Sequence, residues 1–341
     1  MKPWPIVGHA WAVQQLRHAI ASDAASFTGA PSRRLAQALL ITGPESVGKH
    51  TLARQVVAAL LCRAAEGRPC GDCLSCRKLR SGNHPDFIEV VAEDRTAHIR
   101  IEQIREVERF LALTPNESRA KVVLICDFER ATIGAANALL KTLEEPPSYA
   151  HIILLAADAD LLLPTIVSRA QQISLRPLPN REIAEALVAT WQVDEGTADR
   201  LARVSGGRVG WAVRAVRNPE TINRMREAID TLTATLHQDL PTRFETAQAL
   251  ARDTVALVET LETWLTFWRD VLLLQIGLED ALVYTDHREA VGVIAGRLDV
   301  AETADILAAV ERSQEALLAN ANTQLWMENL LLTLPSLGPE D

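Results

Sequence analysis

The stretch LLITGPESVGKHT (residues 39–51) couples a short apolar run to a glycine-containing loop and to the start of a helix. A strand that leads through such a loop into a helix is the context of a phosphate-binding loop. Gly43 and Gly48 let the backbone N–H groups converge on phosphate oxygens, and Lys49 is placed to meet the outer phosphates. The spacing predicts an α/β fold with this loop at the end of its first strand.

The position after the loop lysine departs from the pattern. A nucleotide site that uses Mg²⁺ places Ser or Thr there, whereas this chain has His50, with Thr51 one residue late. A neutral imidazole is a poor ligand for a hard ion that prefers oxygen. We expect a loop that keeps its shape without productive ATP hydrolysis. Weak nucleotide binding through Gly43, Gly48, Lys49 and Thr51 stays open, so ATP is a doubtful cofactor.

A second part of the predicted nucleotide site also lacks a usual Mg²⁺ ligand. The run KVVLICDFE (residues 121–129) is a strand at whose end an ATPase carries adjacent Asp and Glu. Cys126 stands at the expected Asp position and Asp127 at the expected Glu position, and a thiol cannot replace a carboxylate on Mg²⁺. The simpler alternative, that Asp127 and Glu129 only end a strand, stays open.

Apolar runs rich in Val, Ile and Leu alternate with helical periodicity in the first half of the chain. They lack an alternating pattern, which predicts parallel strands buried on both faces. The predicted strands are 39–42, 87–91, 121–127, 151–156 and 172–175. After Pro177 only helical patterns remain. We predict an α/β domain (1–177), a small helical lid domain (178–217) and a larger C-terminal helical domain (218–341).

Composition and charge exclude several classes of protein. The 341 residues are 48% apolar and only 4% aromatic, and no apolar run is long enough to cross a membrane. The N-terminal residues do not resemble a signal peptide, so we expect a cytoplasmic protein. With 35 basic and 44 acidic residues the net charge is −9, which argues against a protein that grips DNA phosphates over its whole surface.

Four of the five cysteines are clustered. Cys62, Cys70, Cys73 and Cys76 follow the pattern C-x7-C-x2-C-x2-C. Such spacing predicts a tetrahedral, structural Zn²⁺ site, because four protein thiolates leave no position for a reacting water. Two alternatives are four unliganded thiols and a redox couple at Cys73 and Cys76.

Several motifs together resemble one family. They are IVGH (residues 6–9), HPD (84–86), NALLKTLEEPP (137–147) and Ser168-Arg169, combined with the cysteine cluster placed after the phosphate-loop helix. This combination resembles the AAA+ clamp-loader subunits of bacterial DNA polymerase III, over about residues 3–212. The resemblance implies an AAA+ parallel-sheet domain with an inserted zinc module, a lid, and a C-terminal collar that holds a ring of subunits together.

The departures from that family's ATP site favour its delta-prime type of subunit. The motor subunits that this chain resembles carry Mg²⁺ ligands and sensor residues where it has His50, Cys126, Ala156-Ala157 and Val209, with Arg208 one residue away from the last. The resemblance therefore implies no independent ATPase activity. An ATP-hydrolysing gamma/tau-type motor is the alternative, and a zinc-stabilised DNA-binding module is a weaker one.

The resemblance also implies a role in trans for Arg169, which follows Ser168. In the family this arginine reaches the ATP site of an adjacent motor subunit, where a guanidinium stabilises transition-state charge. The implied partners are the gamma/tau-type motors, the delta subunit and, through the complex, the sliding clamp and primed DNA. An ordinary surface salt bridge at Arg169 is the alternative.

Overall fold

The computed structural model describes residues 4–25, 35–92, 98–318 and 321–338. The chain divides into two compact units, Met1–Trp211 and Ala212–Asp341. The first unit holds every motif that the sequence singles out. The sequence also predicts that residues 178–217 form a lid separate from the α/β part. This lid stays a prediction, as do the boundaries of the three predicted domains.

The first unit is built on one parallel five-stranded sheet. Its strands run in the spatial order β2-β3-β4-β1-β5, with the loop-bearing strand β1 between β4 and β5. The strands are β1 (Ala38–Thr42), β2 (Phe87–Val90), β3 (Lys121–Ile125), β4 (Ala150–Ala156) and β5 (Gln171–Ser174). Each lies within two residues of its predicted bounds, which confirms the α/β assignment.

Burial explains why these strands lack alternation, and it corrects part of the prediction. Every residue of β1, β3 and β4 is buried, as expected for central strands covered on both faces. The edge strands β2 and β5 are only partly buried, so burial on both faces was wrong for these two. An edge strand has a neighbour on one side only, and helices cover it less completely.

Helices cover both faces of the sheet with separate apolar cores. One core gathers Leu52 and Val56 against Leu39 and Ile41, and the other gathers Leu139 against Leu40. The helices are α1 (Ala10–Ala25), α2 (Lys49–Leu61), α3 (Leu74–Arg80), α4 (Ile101–Ala112), α5 (Ile133–Glu144), α6 (Pro164–Val167), α7 (Asn180–Trp191), α8 (Glu195–Val204) and α9 (Val209–Arg217).

The second unit contains no strand among its described residues, as the sequence predicts. Its helices after α9 are α10 (Glu220–His237), α11 (Leu240–Leu250), α12 (Thr254–Gln275), α13 (Arg288–Ala295), α14 (Val300–Leu318) and α15 (Thr323–Thr333). The central helix α12 buries Trp264, Phe267 and Trp268 completely, so aromatic rings contribute to the core of this unit. None of the described helices has the length and apolar character needed to span a membrane.

Candidate functional site

The predicted phosphate loop lies at the end of the first strand, as the sequence predicts. It connects β1 to α2 through left-handed residues at Ser46 (φ 62°) and Gly48 (φ 113°). The side chain of Lys49 is buried, and its Nζ donates to the carbonyls of Gly43 and Pro44, the latter at 3.0 Å. Burial lowers the pKa of Lys49, which nearby carboxylates partly offset. Lys49 thus donates hydrogen bonds to carbonyls of its own loop, and a bound phosphate would compete with these carbonyls for the ammonium group.

The two positions that should hold Mg²⁺ contact one carboxylate instead. His50 Nε2 lies 2.6 Å from Glu89 Oε1, and Cys126 Sγ lies 3.7 Å from the same oxygen. Burial, with the charges of Glu89 and Asp127, raises the pKa of Cys126 to about 12, so this thiol is neutral. Thr51, the remaining hydroxyl candidate, is exposed on α2. Neither His50 nor Cys126 offers the oxygen ligand that Mg²⁺ prefers.

The remaining side chains near the loop are apolar or hydrogen-bonded to other groups. Val209 is buried and faces the loop, since a Cβ on Gly48 would lie 4.0 Å from its Cγ1. Arg208, one residue earlier, donates from Nε to the Ser205 carbonyl at 3.0 Å. Glu129 is half-buried and accepts from the Ala157 N–H at 3.2 Å, and burial raises its pKa.

The N-terminal motif contacts the loop directly, which sequence spacing could not show. His9 is buried, and its Nε2 lies 3.1 Å from the Val47 carbonyl oxygen. Burial lowers the pKa of His9. A neutral imidazole with Nε2 protonated can donate to that carbonyl and so fix the loop from the outside.

The four clustered cysteines converge as predicted. Their Sγ atoms all lie within 4.8 Å of one another, and the Sγ atoms of Cys62 and Cys73 are 4.0 Å apart. None forms a disulfide. Zn–S bonds of about 2.3 Å in a tetrahedron place the sulfurs about 3.8 Å apart, so the cluster needs little adjustment to close on an ion. These residues could therefore hold a metal ion.

A buried polar network ties the cysteine module to the α/β core. The carboxylate of Asp86 is fully buried and accepts from the backbone N–H groups of residues 116, 117 and 118 at 2.6, 2.8 and 2.8 Å. Three backbone donors outweigh burial and lower the pKa of Asp86, although burial is the largest single influence and raises it. The HPD motif thus anchors a loop of the chain rather than a ligand.

Ser75 and His84 belong to the same network but do not form a catalytic pair. Ser75 Oγ donates to the Leu61 carbonyl at 2.7 Å and lies 2.8 Å from His84 Nε2. His84 Nδ1 accepts from the Asp86 N–H at 3.1 Å, so Nε2 carries the proton and donates to Ser75. A histidine in this tautomer cannot remove the serine proton. The arrangement is structural, and only the tertiary fold reveals it.

Arg169 and Ser168 lie just after α6, at the surface. Arg169 Nη2 lies 2.5 Å from Glu144 Oε1, and Nη1 donates to the Thr165 carbonyl at 2.9 Å and to Ser168 Oγ at 3.3 Å. The side chain of Arg169 is 34% exposed, and that of Glu144 is 48% exposed. The guanidinium is therefore held at the surface by an ion pair that solvent can reach.

The motif at residues 137–147 contains both core and surface positions. Leu139 and Leu143 of α5 are buried in the sheet core, whereas Lys141 is exposed. Its helix ends at Glu144, two residues before Pro146. The role of α5 here is to place Glu144 beside Arg169.

Comparison with known proteins identifies relatives along nearly the whole chain. The profile of the family described as "DNA polymerase III, delta subunit" matches residues 27–179, and that of "DNA polymerase III, delta subunit, C terminal" matches residues 219–335. The DNA polymerase III subunit delta' of Bacillus subtilis is 31% identical over 305 residues, covering 88% of this chain and 91% of that protein.

Other relatives match a smaller part of this chain. The subunit delta' of Pseudomonas aeruginosa is 38% identical over 175 residues, about half of each chain (50% and 53%), and the tau subunit of Bacillus subtilis is 27% identical over 73% of this chain and 48% of that protein. A gamma subunit-related protein from Thermotoga maritima matches at a TM-score of 0.41 and 19% identity over 92% of this chain and 97% of that one. On the extent and identity of the Bacillus match, the chain belongs to the delta-prime subunit family of bacterial DNA polymerase III.

Proposed function

We propose that the chain serves as the delta-prime subunit of the replicative clamp loader and acts on the ATP of a neighbouring subunit. The observation that carries the proposal is the state of its own nucleotide site. The phosphate loop keeps its backbone, but both Mg²⁺ positions, His50 and Cys126, are turned onto the carboxylate of Glu89. With an imidazole and a thiol at these two positions, the site lacks the hydroxyl and carboxylate ligands that normally hold Mg²⁺ against the γ-phosphate of ATP.

Arg169 is the group that acts in trans. An exposed ion pair contributes little free energy, so exchanging Glu144 for a γ-phosphate costs Arg169 little. The guanidinium would then stabilise charge at a neighbour's transferred phosphate. Ser168 supports this role because its Oγ accepts from Arg169 Nη1 and restricts the direction of the side chain.

The remaining parts complete the proposal. Zn²⁺ held by Cys62, Cys70, Cys73 and Cys76 stabilises the module between α2 and α3 and takes no part in chemistry, since all four ligands are protein sulfurs. Residues 178–217 act as a lid and residues 218–341 as the collar that joins the subunits. Gamma/tau-type motors and the delta subunit are the direct partners, the sliding clamp and primed DNA are reached through the complex, and the location is cytoplasmic.

The test is ATP hydrolysis by a reconstituted loader, stimulated by clamp and primed DNA, with changes in this subunit alone. We expect Arg169→Ala to slow hydrolysis at the receiving site by about 10³-fold or more, the usual contribution of an arginine finger. Lys49→Ala should leave hydrolysis unchanged. Arg181→Ala is the matched control, because Arg181 is also an exposed arginine paired with a glutamate, Glu185.

The opposite pattern would overturn the proposal. If Lys49→Ala stops hydrolysis and Arg169→Ala does not, the phosphate loop of this chain is catalytically active. The subunit would then be a motor of the gamma/tau type.

A further inference from the structure

The carboxyl ends of β2 and β3 bring together a second group of side chains with metal-ligand chemistry. They are His50 from the first turn of α2, Glu89 from β2 and Cys126 just after β3, and the ligand atoms of all three lie within 4.8 Å of one another. The two strands are neighbours, since Val90 pairs with Ile125 and the Cys126 N–H donates to the Val90 carbonyl at 2.9 Å. Glu89 pairs with Leu124, so the parallel register places Glu89 and Cys126 on the same face of the sheet, two residues apart along the strand direction.

We propose that His50, Glu89 and Cys126 form a second metal site, which binds a divalent transition-metal ion of the Zn²⁺ or Co²⁺ type. Imidazole, carboxylate and thiolate are the ligand set of borderline ions and not of Mg²⁺. Three protein ligands leave one tetrahedral position for water, on the side where the His50 side chain is 57% exposed. The ion occupies the place next to the phosphate loop from which the usual Mg²⁺ ligands are missing.

The distances need only a small adjustment. With bond lengths of about 2.0 Å to nitrogen and oxygen and 2.3 Å to sulfur, a tetrahedral ion sets nitrogen and oxygen about 3.3 Å apart, and sulfur and oxygen about 3.5 Å apart. The structure has 2.6 Å from His50 Nε2 to Glu89 Oε1 and 3.7 Å from Cys126 Sγ to the same oxygen. The nitrogen–oxygen separation must open by about 0.7 Å on these bond lengths, which the exposed imidazole can supply, and the His50 nitrogen and Cys126 sulfur lie within 4.8 Å of each other.

Arg54 orients the carboxylate for this role. Its Nη1 donates to Glu89 Oε2 at 3.0 Å, which leaves Oε1 facing His50 and Cys126. Arg54 is itself fixed, because Nη2 donates to the Leu79 carbonyl at 3.3 Å and the guanidinium lies over the Phe87 ring at 5.1 Å. An outer partner of this kind holds a metal ligand in place.

The charges of the site are compatible with a dication. Glu89 and the Cys126 thiolate together neutralise a 2+ ion when the thiol proton leaves to solvent. Asp127 adds negative charge nearby and Arg54 adds one positive charge. The cysteine module between α2 and α3 uses four other residues, so the two sites share no ligand.

The test is metal binding by the full chain. The protein is titrated with Co²⁺, bound ions are counted by elemental analysis, and the thiolate-to-cobalt charge-transfer absorption is recorded. We expect His50→Ala, Glu89→Gln and Cys126→Ser each to lose one ion relative to the wild type. His18→Ala is the matched control, because His18 is an exposed histidine on α1 away from the cluster.

The variants also separate this site from the four-cysteine module. Cys70→Ser should weaken the module and retain the ion that depends on His50. If the Cys126→Ser chain fails to fold, the exposed His50 decides the question by itself. The inference is overturned if His50→Ala and Glu89→Gln bind as many ions as the wild type, with the same charge-transfer absorption.

Discussion

The backbone N–H of Gly210 donates to the carbonyl of Ser46 at 2.7 Å and so joins the first turn of α9 to the phosphate loop. The two backbones approach so closely that a Cβ on Gly210 would lie 2.8 Å from the Ser46 oxygen. Ser46 itself has a positive φ of 62°. The helix that carries Val209 thus supports the loop through a direct backbone contact.

Gly210→Ala should destabilise the protein, because the new methyl group pushes α9 away from Ser46. We expect a loss of about 1–3 kcal/mol in the free energy of unfolding, the usual cost of overpacking, measured by guanidinium denaturation. Gly134→Ala is the control, since its Cβ would meet only Ile101 Cδ1 at 4.0 Å. That change should be neutral or slightly stabilising; equal losses in both variants would contradict the close contact.

Asp86→Asn should weaken the anchor of the loop at residues 116–118. The amide keeps the size of the side chain but removes the charge from a buried acceptor of three backbone N–H groups. Hydrogen bonds to a charged group contribute more than neutral ones, so we expect a loss of about 2–3 kcal/mol in unfolding free energy. Hydrogen exchange at the three amides should rise with it, and unchanged protection there would exclude the anchoring role.

Acid should destabilise the protein through His84. Burial lowers the pKa of His84 below its ordinary value of 6.5, so the imidazole stays neutral in the folded chain while the unfolded chain takes up a proton. The stability contributed by neutral His84 is present above pH 6.5 and declines as the pH falls below it.

We expect His84→Gln to flatten the slope of unfolding free energy against pH between 6.5 and 5, by at most about 1.4 kcal/mol per pH unit. His18→Gln, a change at an exposed histidine, is the control. Parallel curves for wild type and His84→Gln would rule out this source of pH dependence.

A Zn²⁺ ion bound as proposed by the four-cysteine module should raise the thermal midpoint, and its removal should lower it. An ion present at a thousandfold excess over its Kd contributes at most about 4 kcal/mol, the value for an ion that binds only the folded chain. For a unit of this size that corresponds to a fall of about 8–16 °C on chelation. Cys70→Ser should have the lower midpoint even before chelator is added, and chelator should change it little. An equal fall of the midpoint on chelation in the wild type and in Cys70→Ser would argue against the module.

Arg243 should contribute strongly to the stability of the second unit. Its buried guanidinium donates to the carbonyls of Leu331 and Leu334 at 2.8 and 2.7 Å and to that of Pro335 at 2.7 Å, at the end of α15. Arg243→Met leaves those three carbonyls unsatisfied and should cost about 3 kcal/mol in unfolding free energy. Arg243→Lys should recover part of the loss, because one ammonium cannot reach all three acceptors in a fixed geometry. Thermal denaturation of the full chain measures both.

The predictable part of the molecule is the part with local signals. The loop at residues 39–51 needs only its glycines, its lysine and the preceding apolar run to identify an α/β nucleotide-binding fold, and the strands lie close to the predicted bounds. The spacing of the four cysteines likewise predicts their convergence, since three of them lie within seven consecutive residues. Burial of the edge strands was mispredicted because composition alone does not tell an edge strand from a central one.

The tertiary structure decided which distant residues meet. The sequence by itself determined that an imidazole and a thiol, which suit Mg²⁺ poorly, stand at positions 50 and 126 of the motifs. Their shared contact with Glu89 depends on the pairing of β2 with β3, and the ion pair of Arg169 with Glu144 depends on how α5 and α6 follow the sheet. Parallel strands pair across long crossover connections, so their order is set by packing of the whole sheet and leaves no trace in the local sequence.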